Sequence, residues 1–161
     1  MNDVVVLADS QEIVVDEVFP HAPDVVWRTI TTPELMARWL KMTATGFEAT
    51  VGTRFTYQTT PAGAWDGVIR CLVLEVIPNQ RLVYEWRGGH EDNVGYGSRL
   101  ETVVTWSLSP AEGGVRVRLV HSGFRMPNND HAYQNMSHGW PGVLQRIAAI
   151  AEEREAAPSL H

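Results

Sequence analysis

Three groups of side chains have the residue types that proton transfer, ligand orientation or metal binding would need. The first is His121, in Leu119-Val120-His121-Ser122-Gly123-Phe124, with Gly139-Trp140 further on. Alternation sets Val115, Val117, Leu119 and His121 on one strand face, and Arg116, Arg118 and Val120 on the other. The strand's last inward residue is thus an imidazole, able to orient a ligand or to take a proton near neutral pH. The structural alternative, a ring bracing the Gly123 turn, is favoured because spacing sets no second acid or base beside it. The second is Glu17, in phase with Ile13, Val15 and Phe19. A carboxylate on a buried face is costly unless paired. Arg70 and Arg99 are the candidate partners, and a bulged strand that turns Glu17 outward is the even alternative. The third is a set of rings, Tyr57, Trp65, Tyr84, Trp86, Trp106 and Trp140. They either line a cavity for a flat apolar ligand or close-pack into a core, and their polar edges favour the cavity.

Other candidates are weaker. His90, Glu91, Asp92, His131 and His138 invite a metal, but no HExxH, paired-cysteine or EF-hand spacing is present, so no metal is expected. Gly88, Gly89, Gly95 and Gly97 fit no phosphate-cradling pattern, Ser122 and Ser137 sit in no nucleophile elbow, and Cys71 reads as an inert core thiol. No cofactor is expected.

These groups need a scaffold. A chain of 161 residues, 44% hydrophobic, suits one domain with its own core. A net charge of −6 argues against nucleic acid or an anionic membrane as partner. The single cysteine excludes an intrachain disulfide. No apolar run approaches the roughly 18 residues of a membrane span, and the N-terminus lacks the pattern of a secretory signal, so a cytoplasmic location is expected.

Residues 1–11 read as a lead-in, Ile13–Phe19 as a strand and Asp24–Ile30 as a helix. Thr32-Pro33-Glu34 starts a second helix, with Thr32 as its N-cap. Strands follow over Arg54–Thr60, Trp65–Ile77 (bulged near Leu72–Val73), Arg81–Trp86, Ser98–Leu108 and Val115–His121. Gly88–Gly97 is a polar loop, and Glu112-Gly113-Gly114 a tight hairpin. Phe124–Ser137 reads as irregular or one short helix. An amphipathic helix runs from about Gly139 to Arg154, and residues 156–161 form a tail. The pattern predicts an α+β domain over 12–155, a curved antiparallel sheet of six or seven strands covered by the terminal helix.

In that order the chain resembles the START-like (SRPBCC, helix-grip) superfamily. Within it, the chain is similar to proteins homologous to the C-terminal domain of the activator of the heat-shock-protein ATPase. The resemblance is carried by Ala22-Pro23-Asp24-Val25-Val26-Trp27, Thr32-Pro33-Glu34, Arg38-Trp39, Val73-Leu74-Glu75-Val76-Ile77-Pro78, Arg81-Leu82-Val83-Tyr84-Glu85-Trp86 and His121-Ser122-Gly123-Phe124 with Gly139-Trp140. Asn128-Asn129-Asp130-His131 falls outside those motifs, in a stretch that would shape the pocket mouth. The resemblance implies a helix-grip fold and a cavity between sheet and C-terminal helix. It implies binding of a small hydrophobic or aromatic ligand there, and the strand phases make Glu17, Tyr57, Trp65, Tyr84, Trp86, Trp106, His121 and Trp140 its expected lining. The alternatives are a cyclase or aromatase acting on a bound ring or polyketide, and a stress-related co-chaperone-like module. The activator's separate N-terminal chaperone-binding domain finds no counterpart in these residues, so chaperone binding is the weaker partner expectation, beside a homodimer.

Overall fold

The alternating segments pair into one sheet in the computed structural model, which describes residues 10–156. The strands are β1 (Ser10–Phe19), β2 (Thr43–Thr45), β3 (Arg54–Gln58), β4 (Val68–Ile77), β5 (Arg81–Gly88), β6 (Leu100–Ala111) and β7 (Gly114–Arg125). All seven pair antiparallel in the order β1-β7-β6-β5-β4-β3-β2. Helices α1 (Pro23–Thr31) and α2 (Pro33–Leu40) follow β1, and α3 (Asp130–Ala156) ends the described chain. This is the α+β helix-grip architecture, a curved sheet held against a long C-terminal helix. No described helix is long and apolar enough to cross a membrane.

Period-two burial sets the sheet's inner face. Val115, Val117, Leu119 and His121 of β7 and Val104 and Trp106 of β6 are fully buried. The helical stripe Val143, Leu144, Ile147 and Ile150 of α3 packs into the same core. Each such aliphatic side chain contributes about 1.5–3 kcal/mol by leaving water. The shift of apolar phase in β4 is a bulge between Val73 and Glu75, which leaves Leu74 unpaired and outward.

Several boundaries differ from the sequence reading. The strand expected from Trp65 starts at Val68, because Trp65 instead closes a bridge with Ala62. The short strand β2 had no alternation to announce it. Thr32 does not cap α2: its hydroxyl donates back to the carbonyl of Arg28 at 2.6 Å. β7 runs through Gly123 to Arg125, where the chain was expected to become irregular. The terminal helix begins at Asp130 rather than near Gly139 and carries Pro141 in its interior. Its extra turns hold because Ala132, Tyr133 and Met136 pack against the core. The expected lead-in and tail lie almost wholly outside the described residues.

Candidate functional site

His121 is fully buried, and both its ring nitrogens are engaged. Trp140 Nε1 donates to His121 Nδ1 at 3.1 Å. Nδ1 is therefore the unprotonated nitrogen and Nε2 carries the hydrogen, because indole N–H can only donate. His121 Nε2 donates to Thr102 Oγ1 at 2.8 Å, and Thr102 Oγ1 donates to the Trp86 carbonyl at 2.7 Å. Burial lowers the imidazole pKa to about 3, so the ring is neutral at physiological pH. A proton-accepting role would need a free lone pair, and Trp140 occupies it.

The rings around it interlock. Trp86 meets Trp140, His121 and Tyr57 at centroid distances of 6.0, 5.4 and 5.6 Å. Trp106 meets Trp39 and Trp140 edge-on at 5.5 and 5.9 Å. Trp106 Nε1 donates to the Tyr84 hydroxyl at 3.1 Å. Burial raises the pKa of both the Tyr84 and the Tyr57 hydroxyls, so both stay protonated. Burial also pushes the Cys71 thiol up. Tyr57, Tyr84, Trp106, His121 and Trp140 are thus brought together, as one close-packed cluster. Glu17 lies apart on β1, half-buried and registered opposite Val117. Neither expected arginine pairs with it: Arg70 binds Asp66 at 3.1 Å and Arg99 binds Glu101 at 2.7 Å.

Space opens at one end of the sheet instead. A groove of about 880 Å³ lies between the β5–β6 loop, the ends of β6 and β7, and the first turns of α3. Glu91, Asn93, Arg99, Arg125, Asp130 and His131 are among its walls. Next to it is an apolar recess of about 70 Å³, walled by Trp65, Ile69, Trp86, Leu100 and Met136. The two share Ser98, His131 and Asn135 as lining residues. Of the expected ring set, Trp65 and Trp86 are the members that line either space.

The walls are set by identifiable contacts. Asn129, 2% exposed, accepts from Arg125 N at 2.9 Å and donates to the Arg99 carbonyl at 2.7 Å. It clamps the end of β7 to the approach of β6 and so holds two arginine-bearing segments side by side. Across the groove, Asn93 accepts from Ala64 N at 3.0 Å and donates to the Ala62 carbonyl at 2.7 Å. That fixes the β5–β6 loop beside Trp65. Tyr96 then stacks obliquely on Trp65 at 5.7 Å and edge-on to His131 at 6.1 Å. Two residues of the recess lining carry a buried polar atom, Trp86 Nε1 and Ser98 Oγ, that has no hydrogen-bond partner among the described residues. Such groups cost about 1–3 kcal/mol each when left unpaired.

Sequence reasoning missed Tyr96 and Ser98, whereas Asn128-Asn129-Asp130-His131, the stretch expected at a pocket mouth, does stand among the groove's walls. The one local signal was the pair of glycines flanking Tyr96. Among the described residues, no three His, Cys, Asp or Glu side chains cluster as a metal site requires. His138, one of the residues weighed above for a metal, turns its Nδ1 to the Gln134 carbonyl at 2.8 Å.

The family model described as Activator of Hsp90 ATPase homolog 1-like protein matches residues 20–152. Protein MLL2253 from Mesorhizobium loti is 34% identical over 89% of this chain and 98% of its own, with a TM-score of 0.76. The Aha1 dimer from Colwellia psychrerythraea shares the fold at 17% identity, over 86% of this chain and 93% of its own, with a TM-score of 0.65. DynU16, from the dynemicin biosynthetic locus, shares it at 22% identity, over 88% of this chain and 47% of its own, with a TM-score of 0.65. No curated protein matches the chain. A match over most of the chain, on the fold described above, identifies it as a member of the Activator of Hsp90 ATPase homolog 1-like family of the START-like (SRPBCC) superfamily.

Proposed function

We propose that this protein binds a small hydrophobic or aromatic ligand where the sheet meets α3, with the ligand's apolar part at the recess and the rest along the groove. The observation that carries this is the adjacency of the two spaces, an apolar recess that shares Ser98, His131 and Asn135 with a groove of about 880 Å³. That combination of apolar wall and a few polar groups is the usual form of a ligand site. The core rings give the site a rigid floor through Trp86, which belongs to both the interlocked cluster and the recess lining. Native mass spectrometry of freshly purified protein tests the reading. A co-purifying small molecule is expected, and added ANS should fluoresce and be displaced by it. Absence of both would overturn the proposal.

A second reading is a cyclase or aromatase acting on a bound ring or polyketide, and the likeness to DynU16 supports it. In that reading a titratable group of the groove, such as His131, moves the proton, because His121 has no free ring nitrogen. A bound compound recovered unchanged after incubation supports carriage, and a cyclised or dehydrated product supports catalysis. For assembly, the likeness to the Colwellia dimer supports a homodimer, which light scattering on the eluted protein tests.

A further inference from the structure

The recess has walls of indole, isoleucine, leucine and methionine, yet two of its lining residues carry polar atoms without partners. Trp86 Nε1–H is a donor only, and Ser98 Oγ–H is a donor that can also accept. Trp86 and Ser98 are 2% and 6% exposed, so bulk water does not compensate them. No arginine or lysine lines the recess, and His131 is its one lining residue able to carry a positive charge. A carboxylate or phosphate there would be buried without a counter-charge, at a cost of several kcal/mol. The groove outside offers no net attraction to an anion either, since Arg99 and Arg125 share its walls with Glu91, Glu101 and Asp130, and Arg99 is held by Glu101 at 2.7 Å.

Resting on the ligand-binding reading above, we propose that the recess takes the oxygen-bearing edge of an uncharged aromatic ring. The ring's oxygen accepts from Trp86 Nε1 and bonds Ser98 Oγ. The flat walls of Trp65 and Trp86 select a ring, and the two polar atoms select one substituted with a hydroxyl or keto oxygen. At about 70 Å³ the recess is smaller than the roughly 150 Å³ that holds a benzene ring. The ring therefore enters edge-first, with its remainder in the groove and Tyr96 displaced from Trp65.

Three probes of one shape test this: 1-naphthol, naphthalene and 1-naphthoate, titrated into the intact chain while the tryptophan indole signals are followed by NMR. We expect 1-naphthol to bind about tenfold tighter than naphthalene, as two hydrogen bonds allow, and 1-naphthoate to bind weakest. The Trp86 indole signal should move downfield with 1-naphthol alone. Ser98→Ala, with its folded spectrum retained, should cut 1-naphthol affinity several-fold and leave naphthalene unchanged. Equal binding of naphthol and naphthalene, with Ser98→Ala without effect, would overturn the oxygen-specific proposal and leave the apolar-ligand reading standing. Tighter binding of 1-naphthoate would overturn the uncharged class. No binding of any probe would overturn both readings.

Discussion

Trp140 Nε1 donates to His121 Nδ1 across 3.1 Å, joining α3 to β7 through two fully packed rings. The contact fixes the tautomer of the histidine, and the relay continues through Thr102 into the Trp86 carbonyl. One polar chain thus ties α3 to three neighbouring strands, β7, β6 and β5. Buried polar groups that are fully satisfied specify one arrangement, because every alternative leaves a donor or acceptor unmet. His121 is therefore a positioning residue for Trp86, which lines the recess.

Removing the ring should act on stability. His121→Ala leaves the Trp140 N–H without an acceptor and opens a void among Trp86, Phe124 and Trp140. The expected loss is about 2–4 kcal/mol, read by urea unfolding. His121→Gln keeps one acceptor and one donor and should lose less. A His121→Ala variant with unchanged midpoint and slope would contradict the bracing role.

The same burial makes stability depend on pH. The folded imidazole has its pKa lowered from 6.5 to about 3. Below the unfolded value the unfolded chain binds a proton that the native chain refuses, so stability falls as pH falls. His121's contribution is fully present above pH 6.5 and declines toward about pH 3. Between pH 6.5 and 5 the loss should be about 2 kcal/mol in wild-type and absent from His121→Gln. Parallel pH profiles for the two proteins would refute the assignment.

What the sequence disclosed was periodic. The inward set Leu100, Thr102, Val104, Trp106 and Leu108, the inward histidine and the β4 bulge all follow from side chains alternating by two. The onset of α3 was hidden because the stretch 130–138 is mostly polar and meets the core only through Ala132, Tyr133 and Met136. Pro141 lacks the N–H that would meet the Ser137 carbonyl, yet Trp140 and Val143 anchor the helix on either side. The groove was hidden for a different reason. Tyr96 sits in a glycine-rich loop without phase, Ser98 just beyond it, and the distant bonds of Asn93 to Ala62 and Ala64 and of Tyr96 to Thr60 bring that loop to Trp65.

The clamp at Asn129 should be specific for its amide. Asn129→Ala loses both bonds at a buried position, for an expected cost of about 1–3 kcal/mol. Asn129→Asp retains an acceptor for Arg125 N but turns a second oxygen toward the Arg99 carbonyl. It should be at least as destabilising near neutral pH and recover partly in acid, where the carboxyl can donate. Melting temperatures at two pH values check the order.

Gly89 is required by geometry. It has φ +77°, and a Cβ there would lie 2.0 Å from the Ser98 carbonyl oxygen and 2.7 Å from that of Gly97. Both obstacles are backbone, so nothing flexible can yield. Gly89→Ala should displace the segment that carries Ser98. 1-Naphthol binding should weaken more than global stability does, as seen by comparing titration with thermal melting.

Tyr96 stands over the recess between Trp65 and His131, with its hydroxyl donating to the Thr60 carbonyl at 2.7 Å. The flanking Gly95 and Gly97 have φ of +77° and +86°, backbone that a residue with a side chain adopts only with strain. Moving the ring aside costs the Thr60 bond and the contacts with Trp65 and His131, and at 40% exposure it has water to move into. If the recess admits a ligand only from the open position, the closed population slows association. Tyr96→Ala removes the obstruction. With an open population of about a tenth, the association rate of 1-naphthol should rise about tenfold, measured by stopped-flow tryptophan fluorescence. The dissociation rate should also rise, because the departing ring no longer meets a lid. An unchanged association rate would mean that the ring reaches the recess without moving Tyr96.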